Sequence, residues 1–148
     1  MKKIDIDAAE ARTGSRYPPP FNETGKHKFR RRLGRAAGLT QFGVNRLELP
    51  PGQWSSQRHW HTDNDEFVMV LSGQATLITG AGEEVLNPGD CAGFKAGEAD
   101  GHHIVNRTDA LLVVLEVGTA HAEDLCDYPD IDLRGTASTY LHKDGTPY

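Results

Sequence analysis

Residues 58–67 read RHWHTDNDEF, and how this stretch is folded decides the rest. On a strand, side chains alternate between faces, so His59 and His61 point the same way and Trp60 the other. On a helix the two imidazoles diverge and Glu66 is stranded. Thr62, Asp63 and Asn64 are turn residues, and an apolar run, EFVMVLS, follows at 66–72. The strand reading therefore predicts a hairpin with its turn at 62–65. The returning strand lies beside the first, and Glu66 faces the same interior as Val68 and Val70.

The surroundings agree with a strand. PPG at 50–52, SG at 72–73, TGAG at 79–82, NPGD at 87–90 and KAG at 95–97 all read as turns. Between them lie LTQFGVNRLEL (39–49), QATLIT (74–79), EEVLN (83–87), HHIVN (102–106) and ALLVVLEVG (110–118). These runs are short and rich in branched residues, without a helical period, and their spacing suits an antiparallel sandwich or barrel. EFVMVLS and ALLVVLEVG carry apolar residues on both parities, so both faces need cover. The interior covers one, and an arm or a second subunit, in a homodimer, covers the other.

The flanks differ. Residues 1–38 are polar and irregular, with PPP at 18–20 and a basic run, HKFRRRLGR, at 27–35. A helical turn is expected around 28–37. Residues 119–148 are acidic and then mixed. Both are expected as irregular arms that wrap a barrel at 39–118 or reach a neighbouring subunit, packed down by Tyr17, Tyr128, Tyr140 and Tyr148. Lys26, Lys28, Arg30, Arg31, Arg32 and Arg35 could form a nucleic-acid patch; the plainer reading is a solvated segment paired with acids elsewhere.

Composition narrows the function. With 148 residues a single domain is expected. A net charge of −5 argues against nucleic acid as the main partner. No apolar stretch is long enough for a bilayer, and the start, MKKIDIDAAEARTG, has no apolar leader core. Cys91 and Cys126 are far apart, which suits free, buried thiols in a reducing cytoplasm rather than a disulfide framework.

The chemistry centres on histidine. His59 and His61 on one strand face, with a carboxylate from Glu66 and a third imidazole from His102 or His103, make a three-nitrogen, one-oxygen set. Asp65 could supply the carboxylate instead, but it fits better as a turn residue, and Asp63 is a weaker competitor. The set suits one divalent transition metal, iron, manganese, nickel, cobalt or zinc, and leaves positions open when that metal is octahedral. A closed structural zinc more often uses cysteines. His27, His121 and His142 read as ordinary surface or core histidines.

At these residues the chain resembles the cupin superfamily. The first cupin motif appears as Gly52, six residues, His59-Trp60-His61, four residues, Glu66, six residues and Gly73. The second appears as Gly89, five residues, Lys95-Ala96-Gly97, four residues, His102, three residues and Asn106. Lys95 stands where the motif has proline. The spacer before His59 is one residue longer than usual, and the loop before His102 is two longer. The resemblance, over about residues 40–118, implies an all-β double-stranded β-helix, or jelly roll. It implies a metal held inside by His59, His61, Glu66 and His102, the gap to Asn106 selecting His102 over His103. The wider pattern, with the tail YPDID…HKDGTPY, is similar to small single-domain bacterial cupins, some labelled sugar-phosphate isomerases.

Three functions follow. One is metal-assisted isomerisation or epimerisation of a small polar, sugar-like or carboxylate substrate, in which the metal acidifies a carbon between two bound oxygens. A base then moves the proton, and Glu66 could serve only if it is not a tight ligand. The second is an iron-dependent dioxygenase. The third is a non-catalytic module that senses or stores a small molecule. An anionic substrate calls for a cation near the barrel mouth. Arg46, Lys95 and Arg58 are candidates, although Arg58 has the wrong parity and surface ion pairs are the plainer role for all three. Gln57 shares parity with His59 and could line the pocket. Trp54 and Trp60 read equally as core or interface anchors.

Overall fold

A computed structural model describes residues 3–148. Its regular structure is almost entirely β-strand. The runs expected to be extended form β3 (Phe42–Leu49), β5 (Glu66–Ser72), β6 (Ala75–Thr79), β7 (Gly82–Leu86), β9 (His103–Val105) and β10 (Leu112–Thr119). The remaining strands are short: β1 (Ala11–Thr13), β2 (Phe29–Arg32), β4 (Trp60–His61), β8 (Cys91–Phe94), β11 (Cys126–Tyr128), β12 (Leu133–Gly135) and β13 (Tyr140–Leu141).

They form three antiparallel sheets. The largest runs β1-β2-β3-β10-β5-β8, a second runs β7-β6-β9, and a third runs β13-β12-β11-β4. The first two face each other in a jelly roll. Residues of one parity from each strand meet between them: Leu47 and Leu49, Val68 and Val70, Ala75 and Leu77, Leu112 and Val114, closed by Leu86 and Ile104. Each fully buried leucine here contributes about 1.5–3 kcal/mol of transfer free energy. The turn from β5 to β6 depends on Gly73, whose φ is +80° and whose missing Cβ would lie 2.6 Å from the Leu111 carbonyl oxygen.

The hairpin expected at 62–65 does not form. β4 pairs with β11, and β5 pairs with β10 and β8, so the two strands belong to different sheets. Asp124 redirects the chain: its Oδ1 accepts the Asp63 and Asn64 amides at 2.9 and 3.1 Å. The flanks, expected as irregular arms, carry strands of their own. β2 pairs with β3 and recruits β1. The helical turn is only the four residues Leu33–Ala36, and the basic run before it is extended. The tyrosine prediction is met by a second core, in which Tyr17, Tyr128 and Leu133 are buried with Tyr140 against them. Tyr148 stacks on His142. Cys91 is exposed rather than buried, because β8 is a sheet edge.

β10 is covered on both faces at Leu112–Val114, whereas Phe67 and Leu71 on the outer face of β5 are exposed. Among the described residues no helix is long and apolar enough to cross a membrane.

Asn106 closes the strand pair ahead of β10. It is fully buried; its Nδ2 donates to the Leu49 and Ala110 carbonyls at 2.8 and 2.7 Å, and its Oδ1 accepts from the Thr108 amide and hydroxyl. Asn106→Ala strands the buried Leu49 carbonyl and frees the loop at Thr108. It is expected to cost about 2–4 kcal/mol and to lower the melting temperature by roughly 5–15 °C, read by thermal denaturation.

Candidate metal centre

The segment before β4 bends rather than running as a regular strand, and it places His59 opposite His102. Two reciprocal backbone hydrogen bonds tie them, 3.1 Å from the His59 amide and 2.8 Å from the His102 amide. Their rings lie 4.9 Å apart between centroids. Alternation brings the His61 ring to the same side, 5.1 Å from that of His59. Glu66 reaches in from the start of β5. Its Oε2 is 3.0 Å from His102 Nε2 and 3.5 Å from the Nε2 atoms of both His59 and His61. Each of the three sheets or its margin thus contributes to one cluster.

The other ring nitrogens fix the tautomers. His59 Nδ1 donates to the Gln57 carbonyl at 2.9 Å, and His61 Nδ1 donates to Asp124 Oδ2 at 2.6 Å. Both Nε2 atoms are left as lone pairs facing a carboxylate oxygen. Lone pairs aimed at an anion repel it unless a cation lies between. Metal bonds of about 2.0–2.2 Å at octahedral or tetrahedral angles separate neighbouring donors by about 3.0–3.5 Å, which is the spacing observed from Glu66 Oε2 to each of the three Nε2 atoms. The residues therefore fit a divalent transition metal. His102 is held differently: its Nδ1 is buried without a hydrogen-bond partner, and its ring stacks flat on Phe94 at 3.5 Å.

The electrostatics follow the packing. Burial pushes the Glu66 carboxyl up, but the His102 and His59 rings packed against it outweigh this and leave Glu66 well below the ordinary range. Burial lowers His102, keeping the ring neutral and able to donate its lone pair. For Asp124, burial is again outweighed, by the Asp63 amide and the His61 ring, and the carboxylate stays ionised.

The rivals fall elsewhere. His103 turns its Nδ1 to the Ser56 carbonyl at 3.0 Å and its ring edge-on to Trp54. Asp65 accepts the Ala96 amide, and Asp63 accepts the Thr62 hydroxyl. The Cys126 thiol lies within 4.8 Å of the ligand nitrogens of His59 and His61. Among the described residues, it and Asp124 are the partners that sequence reasoning missed. Both sit in the C-terminal arm, where no motif marks them.

The centre opens into a cavity of about 670 Å³. Gln57 does not line it: parity does not carry through the bent segment, and its amide donates to Thr24 at 2.6 Å. Arg46 also lies outside, because Leu47 and Leu49 point inward and their neighbours Arg46 and Glu48 pair with each other on the outer face. Arg58 holds Asp130 with two 2.7 Å hydrogen bonds. Lys95 and Trp60 line a smaller cavity of about 220 Å³ on the other side of Glu66 and His102. Trp54 is partly exposed. The cations in the main cavity come from the N-terminal arm instead.

A family model described as the cupin domain matches residues 45–118. The chain belongs to the cupin superfamily. It is similar over 99% of its length to a sugar phosphate isomerase of this superfamily from Silicibacter pomeroyi, at 45% identity and a TM-score of 0.94, covering 96% of that protein. It is similar, at 32% identity and a TM-score of 0.72, to a protein from Acidithiobacillus ferrooxidans assigned as a sugar phosphate isomerase, over 77% of this chain and 74% of that one. The polyketide cyclase RemF from Streptomyces resistomycificus shares the cupin fold at 20% identity and a TM-score of 0.65, over 82% of this chain and 80% of that one. No curated protein matches the chain.

Asp124 fixes the His61 ring from behind. Asp124→Ala is expected to weaken the binding of added Zn²⁺ by about 10–100-fold, measured by competition with a chromophoric chelator. Asp124→Asn, which keeps one acceptor oxygen, loses less.

Proposed function

We propose that this cupin is a metal-dependent isomerase or epimerase of a small polar, sugar-like or carboxylate substrate. The observation that carries the reading is the convergence of three imidazole nitrogens and one carboxylate oxygen on the wall of a cavity large enough for such a molecule. In this reading His59, His61, Glu66 and His102 hold one divalent metal per chain. When bound there, such a metal would supply Lewis-acid polarisation of a substrate carbonyl, which acidifies the neighbouring C–H. As a ligand, Glu66 is not free to act as the base. Tyr17, Tyr128 and Tyr140 line the same cavity, and burial raises all three phenols, so they stay protonated and can donate to substrate oxygens. The similarity to the Silicibacter pomeroyi sugar phosphate isomerase supports the reaction class.

The rest of the reading is a homodimer in a reducing cytoplasm, with neither nucleic acid nor membrane as partner. Exposed Phe67 and Leu71 on β5 support a second subunit there, and the two free cysteines support the compartment. Sedimentation is expected to give a dimer at micromolar concentration; a monomer overturns that part.

Elemental analysis of protein purified without chelator or histidine tag is expected to give about one equivalent of a transition metal, absent from His59→Ala/His61→Ala. Zinc, manganese or nickel, with deuterium exchange from solvent into an aldose or ketose, supports the isomerase. Iron with oxygen uptake moves the reading to the dioxygenase. Saturable binding with no metal and no turnover leaves the binding module.

A further inference from the structure

The basic run behaves only in part as a solvated segment. Arg31 pairs with Asp7 on the outer face, and Lys26 pairs with Glu23. The alternate residues Lys28, Arg30 and Arg32 line the cavity, because β2 pairs with β3 so that Arg30 lies opposite Leu47 and Arg32 opposite Asn45. β1 adds Arg12, opposite Arg30, and the chain beyond it adds Arg16. One wall of the cavity is therefore a ladder of cations.

Their partners do not balance them. Arg30 is neutralised by Glu116 through contacts of 2.8 and 2.9 Å. At the rim, Arg12, Arg32 and Arg35 share the single carboxylate of Glu10, at 3.2, 3.8 and 3.4 Å. Arg16 has no ion pair among the described residues. Lys28 is 5% exposed, and its ammonium donates to one acceptor, the Ser55 carbonyl. An ammonium has three donors, and burying one without a carboxylate is costly. Burial draws its pKa down to about 8, which leaves it charged at neutral pH. The opposite backbone position is Gly14, whose amide bonds the Lys28 carbonyl at 2.8 Å and which adds no side chain to fill the space.

We propose that the β1–β2 wall is an oxyanion subsite that takes the phosphate monoester of the substrate, with Arg16 and the Glu10-linked arginines at its rim and Lys28 at its inner end. This rests on the metal-centred reading for what the other end of the substrate does. Guanidiniums present paired N–H groups to phosphate oxygens, and the surplus of positive charge favours a dianion over a singly charged carboxylate. Lys28 gains acceptors for its unused donors when the anion enters.

The test is isothermal titration of metal-loaded protein with D-ribose 5-phosphate, D-ribonate and D-ribose. The phosphate is expected to bind at least about tenfold tighter than the other two, and more weakly as salt rises. Arg16→Gln and Lys28→Met are each expected to lower its affinity by about tenfold or more, with metal content unchanged. Arg16 is exposed, so its variant folds; Lys28→Met replaces a buried charge by an apolar chain of similar length and is expected to melt no lower than the parent. Equal affinity in parent and variants, or ribonate binding as tightly as the phosphate, overturns the subsite. His59→Ala/His61→Ala separates the two readings. Inorganic phosphate is expected still to bind it, and to lose affinity when Arg16→Gln is added. Loss of phosphate binding on removing the histidines alone places the anion on the metal and overturns the subsite, whereas a parent without metal that still binds phosphate through Arg16 fails only the metal-centred reading.

Discussion

Two backbone hydrogen bonds between His59 and His102 hold the site together. They join segments far apart in sequence and belonging to different sheets, and they set the distance between two imidazoles before any side chain is chosen. Once this pair is formed, alternation delivers His61, and the first residue of β5 delivers Glu66. A cation bound by all four would add a further cross-link between the three sheets. In such a centre, metal binding and folding share the same free energy.

Much of this was legible along the chain. EFVMVLS is a strand with the bounds its composition indicates, and Leu47, Val68, Val70 and Leu77 fall on the inner face that alternation assigns them. His102 rather than His103 turns its ring toward Glu66, because strand parity turns neighbouring rings to opposite sides. What could not be read were relations across long separations. The turn at 62–65 has hairpin composition, yet its amides are taken by Asp124 and its leading strand by β11. The β-run CAGF is too short and too small in side chain to announce itself, and becomes β8 because β5 offers an open edge.

The basic run shows the same limit. Charge counts describe how many cations a segment has, and parity describes which share a face, but only pairing says which face is inside. Arg46 and Gln57 were reasonable candidates by local arithmetic. One was placed outside by the inward leucines beside it, and the other was turned aside where the strand bends. By sequence Lys28 is one more solvated cation; the pairing of β2 with β3 puts it inside.

The cavity has two walls of different provenance. The centre and the strands that carry it lie within the stretch matched by the cupin model, 45–118, with Asp124 just beyond it. The cationic wall comes wholly from residues 12–35, ahead of that stretch. Reactivity and recognition are thereby written in separate parts of the chain. A change in the leading segment can retune which molecules are admitted while the chemistry stays in place, and a graft of that segment onto another cupin would carry its selectivity along as a module.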